Sequence, residues 1–375
     1  MTNVVEFEPD TFGPEKIVVV HDPRTRMLGY LVIDNTARGM GKGGVRMASD
    51  LTFNQVMRLA RTMTWKNAAA NLPLGGAKGG IVADPKDPAR EAIIRSYAKA
   101  LKNLIPKEYV FGLDMGLSEA DAALVVDELG DPKASTGKPA FLGGIPYDKL
   151  MITGYGVVEA VKVACEFAGI DLSRSTLAIQ GFGAVGKGIA KFASDTGALI
   201  VAVSDTSGAL YDPKGLELSE ILHIVQEGGK VTDYGRDCLI PLGDELFLPV
   251  DILLPCAKGD VVDEVAAARI QAKIIAEGAN FATSTGAQKV LHKRGIWFVP
   301  DFIANAGGVI SAYIELINGT SFEAFESTRE RIRNNTKEML EKASQGNMLP
   351  LEAAMDMARE RVVEAMKAKG RWRES

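Results

Sequence analysis

Residues Thr176–Gly186 read T-L-A-I-Q-G-F-G-A-V-G, a short apolar strand pattern that runs directly into a glycine-rich turn. An apolar helix pattern follows over residues 185–196, and a second apolar strand pattern covers residues 198–203. That second pattern leads to Asp205, which stands 24 positions after Gly181. Glycines at this spacing permit a tight turn and let the backbone approach a pyrophosphate at a helix N-terminus. The pattern therefore predicts a dinucleotide-binding βαβ unit.

The candidate cofactor-binding residues of this unit are those of the turn and the acidic residue beyond it: Gly181, Phe182, Gly183, Ala184, Val185, Gly186 and Asp205. A carboxylate at the end of the second strand binds a ribose 2′-hydroxyl and repels a 2′-phosphate. Asp205 therefore favours NAD as the cofactor. Lys214 lies nearby in sequence and is able to help hold a 2′-phosphate, so NADP stays an alternative.

Further apolar runs extend the same sheet. Residues 251–256, 274–280 and 296–301 have the pattern of buried parallel strands, which predicts a doubly wound α/β sheet in the second half of the chain. Ligands bind such a sheet at the C-terminal ends of its strands. The residues that we expect near a cofactor at those ends are Cys256, Ala257, Asn280 and Asn305. For the two asparagines, turn or helix-capping roles are the alternative.

The first half of the chain carries a different signal, built on lysines. Lys66 and Lys78 flank a helical patch and a stretch read as a loop, in which four glycines surround the second lysine. A lysine that is desolvated or placed beside another cation has a lowered pKa, which suits acid–base chemistry near neutral pH. Asp114 follows a predicted strand at residues 109–113 and is a candidate proton carrier. The simpler alternatives are exposed lysines and an aspartate in a turn.

The length and the position of glycine and proline predict the domain organisation. A chain of 375 residues suits two domains of ordinary size, and residues 130–150 are rich in Gly and Pro. We predict a substrate-binding and oligomerisation domain over residues 1–140 and a Rossmann-type domain over residues 150–320. Residues 321–375 are expected to form C-terminal helices that pack back toward the cleft. The predicted fold class is α/β with two domains.

Composition excludes several classes of function. A net charge of −5 argues against a general nucleic-acid-binding protein. The segment Met1–Asp10 has no apolar core of a signal peptide, and no apolar run approaches the roughly 20 residues of a membrane helix, so we expect a cytoplasmic protein without a membrane partner. Three widely spaced cysteines and three histidines form no disulfide framework or zinc motif, so we expect no metal site.

Several motifs together resemble one family. Leu72–Pro85 reads L-P-L-G-G-A-K-G-G-I-V-A-D-P and is similar to the signature around the active-site lysine of the glutamate, leucine, phenylalanine and valine dehydrogenases. The turn at Gly181, the segment Ala276–Asn280 and the segment Asn305–Val309 follow in the family's order. The resemblance implies oxidative deamination of an L-amino acid to its 2-oxo acid and ammonia. It also implies an N-terminal substrate domain, a C-terminal NAD(P) domain with a cleft between them, and a homo-oligomer, commonly a hexamer or an octamer.

The resemblance also implies roles for individual residues. Lys66 would bind the substrate α-carboxylate, Lys78 would activate the water that attacks an iminium, and Asp114 would carry a proton to and from the amino nitrogen. Thr153 resembles a family threonine near the cofactor. Lys42 precedes Lys66 by 24 residues, the spacing of glutamate-specific members, in which the first lysine binds the side-chain carboxylate. Gly44, in the same glycine-rich stretch, and Asn305 are further candidates for substrate binding.

Ala312 leaves the substrate open. Counted from Asn305, it occupies the position where glutamate enzymes usually place a serine, although Ser311 stands just before it. A buried lysine facing an alkyl side chain would be an unpaired charge, so Lys42 favours glutamate. The alternatives are another amino acid with an acidic or polar side-chain end, and leucine, another branched-chain amino acid or another neutral amino acid. Two rival classes are a hydroxy-acid or folate dehydrogenase of the same plan and a catalytically inactive NAD-binding regulatory subunit.

Overall fold

The structure is a computed structural model that describes residues 7–372. Residues 1–6 and 373–375 lie outside the described residues. The segment Met1–Asp10, for which the sequence predicts no signal peptide, is therefore described only in part. The described residues form two compact units: unit 1 comprises residues 7–146, 312–321 and 356–372, and unit 2 comprises residues 147–311 and 322–355. The two-domain α/β class predicted above is confirmed. The domain boundaries and the packing of the C-terminal helices stay a prediction.

Within its described residues, unit 1 contains a six-stranded sheet in the order β1-β2-β5-β3-β6, with β4 paired to β5. The strands are β1 (Lys16–Asp22), β2 (Met27–Asn35), β3 (Gly41–Lys42), β4 (Val45–Ala48), β5 (Gly75–Val82) and β6 (Tyr109–Val110). The helices are α1 (Phe53–Ala69), α2 (Arg90–Ala100) and α3 (Glu119–Leu129). β1 and β2 form an antiparallel hairpin with Lys16 opposite Ile33.

The glycine-rich stretch around Lys78 is a buried strand, and the prediction of a loop there was wrong. β5 pairs with β2 on one side and with β3 and β4 on the other. A Cβ on Gly76 would lie 2.0 Å from Oγ1 of Thr64 in α1, and a Cβ on Gly79 would lie 2.6 Å from Oη of Tyr97 in α2. The glycines therefore let helices pack closely on both faces of the strand. In the sequence alone, glycines that serve such packing look the same as the glycines of a turn.

Local signals place the two helices that flank the charged residues of unit 1. Thr52 caps α1 by accepting the backbone N–H of Gln55, whose side chain in turn accepts the N–H of Thr52. The same arrangement joins Ser118 and Asp121 at the start of α3, where the Asp121 carboxylate accepts the N–H of Ser118. α1 runs on to Ala69 and carries Lys66 in its last turn.

Within the part that the structure describes, unit 2 contains a seven-stranded sheet in the order β10-β9-β8-β7-β11-β12-β13. Its elements up to the last strand are α4 (Ile152–Ala168), β7 (Thr176–Gln180), α5 (Ala184–Ser194), β8 (Leu199–Asp205), β9 (Gly208–Tyr211), α6 (Leu218–Gln226), β10 (Leu239–Ile240), β11 (Ile252–Pro255), α7 (Glu264–Arg269), β12 (Ile274–Ala276), α8 (Thr285–Lys293) and β13 (Trp297–Val299). The strands from β8 through β7, β11 and β12 to β13 are parallel. The three strands predicted after the first βαβ unit are confirmed, although each is shorter than predicted.

Chain order reverses between two neighbouring strands of this sheet. β7 lies between β8 on one side and β11 on the other, so the crevice at their C-terminal ends is the topological switch point of the sheet. The remaining helices are α9 (Asp301–Ala304), α10 (Gly307–Leu316), α11 (Ser321–Gly346) and α12 (Pro350–Ala368). Throughout residues 7–372, no helix is both long and apolar enough to cross a membrane.

Candidate active site

Lys78 and Asp114 form an ion pair in unit 1. Nζ of Lys78 lies 2.7 Å from Oδ2 of Asp114, and Nε of Arg46 lies 3.1 Å from the same oxygen. The Lys78 side chain is only 7% exposed. Gly44 makes room for the carboxylate, because a Cβ there would lie 2.9 Å from Cβ of Asp114. The structure thus brings together Arg46 of β4, Lys78 of β5 and Asp114 of the segment after β6.

The surroundings of this pair shift both of its pKa values. Burial lowers the pKa of Lys78, and the nearby charge of Arg46 lowers it further, against the opposing attraction of Asp114. Burial alone would raise the pKa of Asp114, but the charges of Lys78 and Arg46 outweigh it and hold that pKa below its ordinary value. The pair therefore combines a lysine that deprotonates more readily than usual with a carboxylate that stays ionised, which suits proton transfer. Sequence reasoning missed Arg46.

Lys42 ends strand β3 and is buried, with 6% of its surface exposed. Its Nζ donates to the backbone carbonyl of Phe111 at 3.1 Å. Burial lowers the pKa of Lys42 to about 7, the charges of Lys78 and Lys138 act in the same direction, and Glu315 opposes them. Lys42 pairs with Gly76 in β5, so it lies on the same sheet face as Lys78, two residues along. A lysine here is poised to gain from an incoming negative charge.

A buried ion pair that sequence reasoning missed lies in the same unit. Nζ of Lys138 lies 2.9 Å from Oε1 of Glu315, and the two side chains are 6% and 0% exposed. The Glu315 carboxylate also accepts the backbone N–H groups of Gly137 and Ile145, at 3.1 and 3.2 Å. Glu315 therefore fastens the Gly- and Pro-rich segment, which the sequence shows only as a domain junction.

The other two candidates for substrate binding in unit 1 differ in how much the structure says of them. Lys66 is half-buried on α1. Ala312 is half-buried on α10, one turn before Glu315, and offers no hydroxyl group to a ligand. Neither position contradicts the roles expected from the sequence, and both stay predictions.

The glycine turn of unit 2 has the packing expected of a dinucleotide loop. Gly181 has φ +97°, and a Cβ there would lie 2.5 Å from Cα of Ala257. A Cβ on Gly186 would lie 2.0 Å from the carbonyl oxygen of Gly181. Gly183 is exposed at the N-cap of α5, and a Cβ there would meet nothing within 4 Å. Two glycines thus close the turn, and the third leaves an open cradle at a helix N-terminus that fits a pyrophosphate.

Residues behind the turn hold it in place. The backbone N–H of Gly181 donates to Oγ of Ser204 at 3.2 Å, and that hydroxyl donates to the buried carboxylate of Glu245 at 2.8 Å. Asp205 accepts the N–H groups of Ser207 and Val231. Burial raises the pKa of Asp205, but these hydrogen bonds outweigh it and keep the pKa below its ordinary value. Asp205 is therefore an anion at the end of β8, as a ribose-binding carboxylate must be.

Three of the remaining candidates of unit 2 lie near the C-terminal ends of β11 and β12: Cys256, Asn280 and Asn305. Asn305 donates to Oδ1 of Asn280 at 2.9 Å and to the carbonyl of Gly278 at 3.2 Å. Gly278 in turn gives Cys256 its space, because a Cβ there would lie 2.5 Å from Sγ. Thr153 lies in the first turn of α4, with its hydroxyl oxygen 3.6 Å from where a Cβ on Gly308 would be. Three further candidates lie between the glycines of the turn. Phe182 is buried, whereas Ala184 and Val185 begin α5 and are at least partly exposed.

A glycine turn that fits a dinucleotide in one unit and a buried lysine–carboxylate pair in the other are the features expected of a nicotinamide-dependent oxidoreductase. Residues 14–131 match the family described as Glu/Leu/Phe/Val dehydrogenase, dimerisation domain. Residues 143–370 match the family described as Glutamate/Leucine/Phenylalanine/Valine dehydrogenase. The chain belongs to the Glu/Leu/Phe/Val dehydrogenase family, and it is an amino-acid dehydrogenase. The resemblance inferred from the sequence motifs is confirmed.

Relatives of known name are similar over most of their length. Glutamate dehydrogenase of Aeropyrum pernix is 38% identical, with 96% of this chain and 92% of the relative covered. NADP-specific glutamate dehydrogenase of Saccharolobus shibatae is 35% identical, with 92% and 85% covered. NAD-specific glutamate dehydrogenase A of Halobacterium salinarum is 32% identical, with 92% and 82% covered. The relatives thus include proteins named for either nicotinamide cofactor.

Two solved structures share the fold. The hetero-hexameric glutamate dehydrogenase of Thermus thermophilus, in a leucine-bound form, has a TM-score of 0.81 at 30% identity, with 95% of this chain and 90% of that chain covered. L-tryptophan dehydrogenase of Nostoc punctiforme has a TM-score of 0.75 at 26% identity, with 94% and 97% covered. The same architecture therefore occurs in enzymes named for acidic and for apolar amino acids.

Proposed function

We propose that this protein catalyses the reversible NAD(P)-dependent oxidative deamination of L-glutamate. In balanced form, glutamate, NAD(P)⁺ and water give 2-oxoglutarate, ammonium, NAD(P)H and a proton. The observation that carries the proposal is the buried Lys78–Asp114 pair, on the same side of the sheet as a second buried lysine, in a member of this family. The names of the relatives support the same substrate.

The residues of unit 1 supply the acid–base chemistry. Lys66 binds the α-carboxylate, and Lys78, with its lowered pKa, removes a proton from the water that attacks the iminium carbon. Asp114 exchanges a proton with the substrate nitrogen, and Arg46 keeps that carboxylate ionised and oriented. A nicotinamide cofactor bound at the glycine turn of unit 2 would supply the acceptor for the hydride that leaves Cα. Asn280 and Asn305, joined by their own hydrogen bond, position the cofactor amide or the substrate.

Lys42 supports glutamate over a neutral substrate. Nζ of Lys42 donates to a neutral backbone carbonyl, and burial lowers the pKa of Lys42 to about 7. A substrate γ-carboxylate would restore the charged form and offset the free energy lost on burial. Leucine or another neutral amino acid is the second candidate, favoured by Ala312, which lacks the hydroxyl that would complete a carboxylate site. An inactive NAD-binding subunit is disfavoured by the intact Lys78–Asp114 contact.

The cofactor, the assembly and the location complete the proposal. Asp205 favours NAD by repelling a 2′-phosphate, whereas Lys214, exposed in the turn after β9, is the residue that would favour NADP. We include a homohexamer, with an octamer as the alternative, because the family match contains a dimerisation domain and one structural neighbour is hexameric. Three free cysteines fit a cytoplasmic location.

Initial rates test the substrate assignment directly. The purified chain is mixed with glutamate, leucine, valine or phenylalanine and with NAD⁺ or NADP⁺, and reduced nicotinamide is followed by absorbance. Glutamate should give the highest kcat/KM, with NAD⁺ preferred. A neutral amino acid in first place would contradict the role of Lys42, and no turnover with any substrate would favour the regulatory subunit.

Replacing Gly183 tests the proposed cradle. Gly183 has an extended backbone that any residue adopts, with φ −79° and ψ −159°. Gly183→Val should therefore leave the melting temperature of the free protein within about 2 °C of wild type, because open surface substitutions change stability little. The added methyl groups occupy the cradle, so the Kd for NADH, measured by fluorescence titration, should rise about tenfold or more.

Gly235→Val is the matched control, since Gly235 also lies in unit 2 with open space at Cβ. It should leave both the melting temperature and the Kd for NADH near their wild-type values. An unchanged Kd for Gly183→Val would show that the pyrophosphate does not lie at the start of α5.

A further inference from the structure

Phe281 combines backbone strain with unusual exposure. Its φ is +53°, in the left-handed region, which costs a bulky residue free energy relative to glycine. Its side chain is also 65% exposed, although a phenylalanine ring gains free energy from burial. These two unfavourable features indicate that Phe281 has a function other than stabilising the fold of unit 2, because such backbone strain persists mainly at functional sites.

The strained conformation is fixed from both sides. The N–H of Phe281 donates to Oδ2 of Asp301 at 3.0 Å, and its carbonyl accepts the N–H of Asp260 at 2.8 Å. Asp260 is itself a left-handed non-glycine residue, with φ +56°, in the loop after β11. The two loops after β11 and β12 thus hold each other. The ring of Phe281 is consequently presented to solvent by a defined backbone and not by a loose loop.

A second fastening closes the loop that carries the ring. Glu277, the first residue after β12, is buried, and its carboxylate accepts the N–H of Thr283 at 2.7 Å and the N–H of Asp301 at 3.0 Å. The loop between these points includes Asn280, which is held by Asn305. Phe281 therefore adjoins the pair of asparagines assigned above to the nicotinamide or the substrate.

The place of the loop in the sheet indicates what the ring contacts. Asp205 and the glycine turn lie at the ends of β8 and β7, on the side of the switch point that binds the adenosine half of a dinucleotide. The ends of β11 and β12 lie on the other side, where the second mononucleotide half binds. We propose that Phe281 is a contact residue for the nicotinamide half of NAD(P), held out by a strained loop so that its ring packs against that half. This inference rests on the proposed function.

The test separates strain from contact by comparing two strain-relieving variants. Phe281→Gly removes the ring and relieves the backbone, so the melting temperature of the free protein should not fall. Its Kd for NADH, from fluorescence titration without amino acid, should rise about fivefold or more, the scale of a lost aromatic contact. Phe281→Tyr keeps the ring and should bind NADH as the wild type does. Arg26→Gly, which relieves φ +56° in the exposed β1–β2 turn, should leave the Kd unchanged.

ADP-ribose, which lacks the nicotinamide, locates the contact. Its affinity should be the same for wild type and Phe281→Gly. Equal losses for ADP-ribose and NADH would overturn the inference, because they would show that the whole site has changed. An unchanged Kd for NADH would overturn it too, and a change of assembly state by light scattering in that case would identify the ring as a subunit contact. Wild-type protein that binds neither NADH nor NADPH would overturn the proposed function as well.

Discussion

Lys78→Met should lower kcat for glutamate at least about a thousandfold while the protein keeps its fold and its affinity for NADH. General acid–base catalysis by one positioned group typically contributes 10² to 10⁴ in rate, and Lys78 is proposed to remove a proton from the attacking water. Methionine preserves the length and volume of the buried side chain. Asp114 keeps its contact with Arg46 at 3.1 Å, so the carboxylate is not left unpaired.

Asp114→Asn should cause a comparable loss, because the amide cannot exchange a proton with the substrate nitrogen. The measurement is steady-state kcat and KM for both variants, with the Kd for NADH determined by fluorescence titration. Lys86→Met, at an exposed lysine of the same unit, is the control and should behave as wild type. A rate within tenfold of wild type for either active-site variant would remove that residue from the mechanism.

Lys42→Met should stabilise the protein at pH 6 and at the same time remove its preference for glutamate. The pKa of Lys42 falls from 10.5 to about 7 in the folded state. Between those two values the unfolded chain holds a proton on Lys42 that the folded chain has lost, so the free energy of unfolding of the wild type rises with pH across this window. Below pH 7 the full penalty of burying the ammonium is present, on the order of a few kcal/mol.

Because methionine carries no charge, its stabilising effect should be largest at pH 6 and should shrink toward zero by about pH 10. Thermal unfolding of wild type and variant at pH 6, 8 and 9.5 measures this difference directly. Lys86→Met again supplies the control, since an exposed lysine should show no such trend. A variant that is less stable than wild type at pH 6, or a difference that does not vary with pH, would contradict the burial of a charged Lys42.

The catalytic side of the same substitution concerns the substrate. Loss of a charge-assisted contact should lower kcat/KM for glutamate relative to leucine by tens-fold or more, which corresponds to about 2 kcal/mol. A ratio that does not change would mean that Lys42 does not face the substrate. Lys42→Met is thus expected to gain stability and to lose specificity for glutamate. This combination is typical of a functional residue that destabilises the fold.

The sequence predicts unit 2 better than unit 1, for a physical reason. The turn from Gly181 to Gly186 depends on local backbone geometry, which can be predicted from the spacing of its glycines. β5 was predicted as a loop because its glycines serve helices that pack from outside the segment, at Thr64 and Tyr97. That requirement comes from residues far away in sequence, so the local pattern cannot reveal it.

The candidate site shows the same division. Lys42, Lys78 and Asp114 were identified from spacing and from resemblance, and the structure brings Lys78 and Asp114 into contact. The contacts of Arg46 with Asp114 and of Lys138 with Glu315 were not predicted, because a partner 68 or 177 residues away leaves no periodic signal. The strain at Phe281 was equally invisible, since a positive φ at a phenylalanine has no sequence signature.

A competition experiment tests the proposed glutamate specificity most directly. Wild-type protein receives equal concentrations of glutamate and leucine with limiting NAD⁺, and the two 2-oxo acids formed are quantified by mass spectrometry. The ratio of products equals the ratio of kcat/KM values, free of differences in enzyme concentration. We predict that 2-oxoglutarate exceeds the 2-oxo acid of leucine at least about tenfold. An excess of the leucine product would show that Ala312, and not Lys42, determines the substrate.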